Sequence, residues 1–408
     1  MDVVSLREKF PQLRETVYGR PLVYLDNAAT SMRPSSVIEK WVDSASRVNA
    51  NLHRAVHHIA DLATNDYESA RDYVKDYLNA ESRREIVFTS GTTESINLVA
   101  YSFSKQFLSE GDEVIVGEAE HHSDIVPWQQ ACERQKATLK VLKIKDNGEL
   151  DLEDLKAKLT GRTKIVCVNH ISNVLGIVNP VEEIVRICHS IGCLVLLDGA
   201  QGIVHIHPDV QKIGCDFYVF SGHKAFAAPG TGVLYGRKDL LEAMPPFLTG
   251  GEMIGNVKWN GTTWAELPQK FEAGTRNISG VPTMKPALEL LGQVLDDADI
   301  KEEERKIRDY MTQALLDDKR IRLFGLPQDM NDKVNTFSFL VEHCHHEDLA
   351  LILDKMGIAV RSGQMCAEPL MDRFGVSGMV RASFAAYNTL DEAHKFIECL
   401  DRAIEMLV

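Results

Sequence analysis

Asp216-Phe217-Tyr218-Val219-Phe220-Ser221-Gly222-His223-Lys224 is an apolar, aromatic run that stops at a serine and a glycine and then presents a lysine. Residues 216–220 read as a strand buried on both faces, because aromatic and β-branched side chains suit a pleated sheet packed from two sides. A lysine directly beyond such a strand is poorly placed as a solubilising surface charge. Partly desolvated lysines of this kind are the ones that form imines with carbonyl compounds.

Working outward, the same design recurs. Residues 85–89, 113–116, 164–168 and 193–197 are short β-type runs, and helical patterns separate them. Between Thr64 and Asn79 the apolar residues Tyr67, Ala70, Val74, Tyr77 and Leu78 recur at a helical period. Strands alternating with helices predict an α/β fold with a mainly parallel sheet covered on both faces. In such sheets ligands collect beyond the carboxyl ends of the strands. The charge-rich stretch 285–322 reads as helical and solvated, and Lys301-Glu302-Glu303-Glu304-Arg305-Lys306 is its most polar part. Strand-like pieces at 335–340, 358–361 and 380–384 then predict a smaller α+β domain.

The strand ends carry chemistry. Strand 85–89 runs into Ser90-Gly91-Thr92-Thr93-Glu94, before a helix expected from Ser95. A glycine turn, two hydroxyls and a helix N-terminus form either an anion cradle or an ordinary capped helix. Strand 113–116 leads to Glu120-His121-His122. A metal reading of this pair lacks further ligands nearby, whereas His121 could stack on a flat ring. Strand 164–168 leads to Asn173, and strand 193–197 to Asp198-Gly199-Ala200-Gln201. Asp198 is expected half-buried at the sheet rim, where it needs a cationic partner. An imine-forming lysine, a carboxylate and an anion cradle on successive strand ends together suit pyridoxal phosphate.

Here the chain resembles the fold-type-I pyridoxal-phosphate enzymes, and within them the SufS-type (group II) cysteine desulfurases. The motifs carrying the resemblance are Glu120-His121-His122-Ser123-Asp124-Ile125-Val126-Pro127-Trp128, Ser172-Asn173-Val174-Leu175-Gly176, Asp198-Gly199-Ala200-Gln201 and Ser221-Gly222-His223-Lys224. Phe271-Glu272-Ala273-Gly274-Thr275 and Arg361-Ser362-Gly363 before Cys366-Ala367 complete the set. The resemblance implies a large cofactor domain over residues 19–285. It also implies a small domain over 286–408, joined by residues 1–18, that carries a catalytic cysteine loop.

By the same resemblance, Lys224 forms the Schiff base, Asp198 holds the pyridinium proton, His121 stacks on the ring and Gln201 bonds the phenolic oxygen. Thr92, Thr93, Ser221 and His223 bind the phosphate, and Thr275 comes from the second subunit of a homodimer. Asn173 and Arg381 hold the substrate carboxylate, with Arg361, Ala28 and Ala29 in the same substrate wall. A salt bridge is the other reading of Arg381, since its planar fork suits a carboxylate either way. The catalytic set is Cys366, Lys224 and His121.

Cys366 lies among glycine, polar residues and Pro369, which mark a loop. It is the thiol expected to attack the sulfur of L-cysteine. Cys132, Cys167, Cys188, Cys193 and Cys215 read as small core residues instead. Where two histidines commonly precede this cysteine in the SufS pattern, the chain has Gln364 and Met365. Selenocysteine lysis, another carbon–sulfur lyase reaction and a non-catalytic sulfur-carrier scaffold are the alternatives. The implied sulfur acceptor is SufE-like and metal-free, because Glu347 stands before Asp348 where zinc-dependent pairing uses a histidine. His345 and His346 are neighbours that read as solvated cap residues or as a shifted ligand pair.

Composition bounds the rest. At 408 residues, 44% apolar and 25% charged, the chain is long enough for two cores. A net charge of −14 argues against nucleic acid. The charged N-terminus lacks the apolar stretch of a signal peptide and reads as a short amphipathic helix. No apolar run reaches the roughly 20 residues of a membrane span. A cytoplasmic protein without a membrane partner is expected.

Overall fold

A computed structural model describes residues 2–53 and 56–408. Seven strands build the central sheet: β1 (Ile86–Thr89), β2 (Glu113–Gly117), β3 (Thr138–Leu142), β4 (Thr163–Asn169), β5 (Leu194–Asp198), β6 (Phe217–Ser221) and β7 (Gly232–Gly236). Their order across the sheet is β1-β7-β6-β5-β4-β2-β3. All are parallel except β7, which runs antiparallel to both neighbours. The five strands read from the sequence each lie within one residue of their expected bounds.

Strand periodicity divides the core between the two faces. Val166, Val168, Val195, Leu197, Tyr218 and Phe220 join one apolar cluster. Their alternating neighbours Ile165, Cys167, Leu196, Phe217 and Val219 join the other. Each such side chain contributes roughly 1.5–3 kcal/mol on burial. Cys132, Cys167, Cys188, Cys193 and Cys215 are all buried thiols, as expected. Helices α1 (His58–Tyr77), α2 (Thr92–Phe107) and α3 (Val126–Gln135) cover the sheet. A hairpin, β8 (Ile254–Lys258) with β9 (Gly261–Trp264), stands off it and is almost wholly exposed.

The stretch expected as one helical run, 285–322, is two helices and the start of a strand. They are α4 (Met284–Asp296), α5 (Ala298–Asp317) and β10 (Ile321–Phe324). Asp297 breaks the run by capping α5, its carboxylate accepting from the amides of Asp299 and Ile300. One face of α5 is solvated and laced by Arg305 with Glu302 and Asp309. The other buries Ile307, Met311 and Leu315.

Strands β11 (Thr336–Val341), β12 (Arg361–Gly363) and β13 (Met379–Ser383) complete a four-stranded antiparallel sheet ordered β10-β11-β13-β12. Helices α6 (His346–Lys355) and α8 (Leu390–Leu407) pack on it through Leu349, Leu353, Phe396 and Leu400, whereas α7 (Glu368–Phe374) buries Leu370 and Met371 in the first cluster of the large sheet. The expected N-terminal helix spans Val3–Arg7. No helix among the described residues is long and apolar enough to cross a membrane.

Candidate active site

The carboxyl ends of β1, β4, β5 and β6 open on a cavity of about 420 Å³. Lys224, Asp198, His121, Asn173, Arg381 and Cys366 all line it. Thr92, Thr93, Ser221 and His223 close one end, and Ala28, Ala29, Gln201 and Arg361 add to its wall. Thr275 is the one expected site residue that lies outside it, on an exposed turn.

Helix α2 begins at Thr92, three residues before the expected Ser95, so both threonines sit in its first turn. Strand β7 makes this possible. A Cβ on Gly232 would stand 2.4 Å from the Gly91 Cα, so only glycine lets the strand pass so near the turn. The Thr92 amide donates to Ser221 Oγ at 2.8 Å, and the two hydroxyls also lie 2.8 Å apart. His223 Nδ1 is 3.2 Å from Thr30 Oγ1. Burial, then the charge of Lys224, lowers the His223 imidazole to about 4.

Lys224 sits on a single turn directly after β6. Burial lowers its ammonium from the usual lysine range, against the pull of Asp198. Asp198 is only 5% exposed, deeper than the half-buried rim position expected. Its carboxylate accepts from the Ala200 amide at 2.8 Å, and burial raises it. Glu120 and Asp124 are buried nearby, each keeping one carboxylate oxygen without a hydrogen-bond partner among the described residues, and burial raises both. His121 is lowered to about 4, first by burial and then by Lys224. It is therefore a neutral ring at pH 7, and its Nδ1 is 2.6 Å from Ser123 Oγ.

Arg381 makes the salt bridge that is the other reading of it. Its Nη2 donates to Asp26 at 3.1 Å, and its Nη1 donates to the Asn173 carbonyl at 2.8 Å. Its Nε is buried without a partner among the described residues. Arg361 lies 3.7 Å from the same Asp26 carboxylate, which claims part of its charge. Gln201 donates to the Ala28 carbonyl at 2.8 Å.

Cys366 is exposed on the loop between β12 and α7. Met365 and Cys366 both have left-handed backbones, with φ of 54° and 55°. Each such non-glycine residue costs roughly 1–2 kcal/mol, so the loop is held rather than relaxed. The Asn173 side-chain amide donates to the Met365 carbonyl at 3.0 Å.

The class-V aminotransferase model matches residues 23–396. The chain belongs to that family. Within it the relatives are cysteine desulfurases. A probable cysteine desulfurase of Vibrio cholerae is 42% identical over 407 residues, covering all of both chains. One of Staphylococcus epidermidis is 43% identical over 404 residues, with 99% of this chain and 97% of the relative covered. The solved cysteine desulfurase CsdA of Escherichia coli superposes with a TM-score of 0.91 at 38% identity, over the whole of both chains. The apo enzyme of Thermococcus onnurineus NA1 gives 0.90 at 36%, over 98% and 99%.

Pyridoxal phosphate is the cofactor of this class-V chain, and the cavity suits it. Burial lowers the Lys224 ammonium and raises the Asp198 carboxyl from their ordinary ranges, and neither side chain hydrogen-bonds the other among the described residues. The unpartnered Arg381 Nε adds a cationic donor for an anionic ligand. The N-terminal turn of α2, joined by Ser221, offers donors at the opposite end.

One residue that shapes the cavity has no local signal in the sequence. Lys333 is 2% exposed, and its ammonium donates to the carbonyls of Leu175 and Thr336. Together with Ser338, which donates to the Val174 carbonyl at 2.6 Å, and Arg381, it straps residues 172–177 across the small sheet. Gly176 turns this strap with φ of 62°, where a Cβ would stand 2.8 Å from the Thr336 carbonyl oxygen.

Burial pushes Lys333 down to about 7, whereas an unfolded lysine titrates near ~10.4. Between these values the unfolded chain holds more protons, so stability rises with pH across that window and is level below it. From pH 7 to 9 the wild type should gain up to about 2 kcal/mol over Lys333→Met, at about 1.4 kcal/mol per unit. Urea midpoints at the two pH values measure this, and parallel movement of the two proteins would refute it.

Proposed function

We propose that this chain takes sulfur from L-cysteine, releases L-alanine and carries the sulfur as a persulfide on Cys366, feeding iron–sulfur cluster assembly. The observation that carries the reading is one cavity lined by Lys224, Asp198 and a loop cysteine exposed on its outer side. Bound there, pyridoxal phosphate supplies an electron sink conjugated to the substrate Cα.

The protein's own groups do the rest. Arg381 and Asn173 hold the substrate carboxylate, with Arg361, Ala28 and Ala29 walling the same end. Thr92, Thr93, Ser221 and His223 hold the phosphate, with Thr275 reaching the site from the second subunit of a homodimer. Asp198 would hold the ring nitrogen, Gln201 the phenolic oxygen, and neutral His121 would stack on the ring. Lys224, its proton loosened by burial, takes the Cα proton and later returns one. The Cys366 thiolate attacks the substrate sulfur, forming an S–S bond as the Cβ–S bond breaks. The electron pair stays with the three-carbon fragment, which takes up protons and leaves as alanine. Cysteine plus thiol gives alanine plus persulfide, so no external oxidant or reductant enters.

The motif pattern supports a SufS-group reading, and with it a cytoplasmic enzyme with a large domain over 19–285 and a small one over 286–408 with 1–18. Its acceptor is a SufE-like, metal-free protein. Helix α6 begins at His346, two residues before the expected Asp348, and His345 caps it by accepting from the Glu347 amide. His346 is buried at 7% exposure, not a solvated cap residue. A zinc-binding partner therefore meets Glu347, and a carboxylate is a weaker replacement for imidazole in an exchange of thiolate ligands.

The experiment supplies L-cysteine and a reductant and follows alanine and sulfide, which should appear in equal amounts. Adding a SufE-type protein should then accelerate alanine release with a zinc chelator present. Alanine without matching sulfide would overturn the desulfurase reading. Stimulation by a zinc-loaded carrier alone, abolished by chelation, would overturn the acceptor.

A further inference from the structure

His122, the second histidine of the Glu120-His121-His122 run, has no part in holding the cofactor or the substrate. Its backbone amide donates to the Cys366 carbonyl at 2.7 Å. Its ring Nε2 accepts from the Glu368 amide at 2.9 Å. One residue beyond the end of the sheet thus grips the nucleophile loop at Cys366 and just after it, across 244 to 246 positions of sequence.

The grip has something to hold. Met365 and Cys366 are consecutive non-glycine residues in the left-handed region, and such a pair returns to extended backbone when its surroundings release it. Other ties of the loop include the Ala367 amide to the Gln364 carbonyl at 2.9 Å, the Gln364 side chain to Glu368 at 3.2 Å, and Asn173 to Met365. The first two lie within the loop and move with it. Asn173 and His122 alone among these anchor it to the large sheet. Asn173 acts before the cysteine and His122 at and after it.

The geometry points to His122 as a positioning residue for Cys366: it fixes the direction of the thiol by bonding the Cys366 carbonyl and the Glu368 amide, the two peptide groups that follow it. Accepting from Glu368 requires a lone pair on Nε2, so the neutral ring carries its proton on Nδ1. The backbone half of the grip survives side-chain substitution, and the ring half does not. This inference rests on Cys366 being the nucleophile.

The test compares wild type with His122→Ala and His122→Gln, each loaded with cofactor. In His122→Ala the first-turnover rate of alanine formation should fall roughly ten- to a hundredfold, the loss expected of a small misplacement of a reacting group. KM for L-cysteine and the cofactor absorbance should stay, because Lys224, Asp198 and Arg381 are untouched. Amide hydrogen exchange in peptides covering 364–371 should rise, with the central sheet unchanged. His122→Gln, which keeps an acceptor, should recover most of the rate and the protection.

Wild-type rate in His122→Ala, or a lost rate without faster exchange at 364–371, would overturn the proposal. A general rise in exchange across the sheet would also overturn it, as a sign of a merely structural role. Exchange does not depend on turnover. An active Cys366→Ala protein would therefore refute the nucleophile assignment separately, while 364–371 still reported on the grip.

Discussion

Replacing Cys366 by alanine should leave a yellow protein that still binds L-cysteine and yet forms almost no alanine. The rate should fall by on the order of 10⁴ or more, as for other enzymes stripped of a positioned nucleophile. The effect is large because no other thiol can substitute. Cys366 is the exposed cysteine among the eight, and six of the others are buried and the last, Cys344, is half-buried. Cys344 precedes α6, and it is not among the residues lining the cavity. The assay is single-turnover alanine formation beside an absorbance titration with L-cysteine. Near-normal turnover would refute the persulfide route.

Lys224→Ala should abolish the covalent, borohydride-reducible link to the cofactor and remove the proton carrier together. The proton-transfer part alone is worth roughly 10²–10⁴ in rate. The cavity would keep its phosphate-end donors and Asp198, so the variant should still take up cofactor without fixing it. Peptide mapping after reduction is the decisive measurement. A reduced label on any other lysine, Lys333 included, would sink the assignment.

The parallel strands were legible because each is an apolar run flanked by turn residues. Their ends were legible because a charged residue after a buried strand has few reasons to be there. Strand β7, Gly-Val-Leu-Tyr-Gly, escaped notice since its central role depends on the near contact of Gly232 with Gly91, a relation between distant positions. The hairpin β8–β9 escaped because both faces are exposed and no burial pattern marks it. Helix α2 was started too late, since Thr92 and Thr93 read as turn hydroxyls until Ser221 is seen beside them.

The candidate site was read largely residue by residue from motifs. What the motifs could not convey is which groups hold the site's walls. Lys333 sits in a polar stretch, Asp332-Lys333-Val334-Asn335, that reads as a surface turn. Its burial follows only from the strap it meets. His122 had no assigned role once a metal reading of the histidine pair lacked further ligands, and nothing near it in sequence indicates Cys366 or Glu368.

The cavity wall at residues 26–30 is stitched to the far end of the chain. Ser383 donates its amide to the Leu25 carbonyl at 2.7 Å, and the Asn27 side chain donates to Ser383 and Asn388. A ribosome adding roughly 5–20 residues per second needs on the order of tens of seconds between those two segments. During that time the nascent chain can form its central sheet and the Lys224 turn, yet the substrate side stands open. A chain cut before Ser383 would keep the Lys224 turn and lose the hydrogen bonds that hold residues 25–27 in the cavity wall.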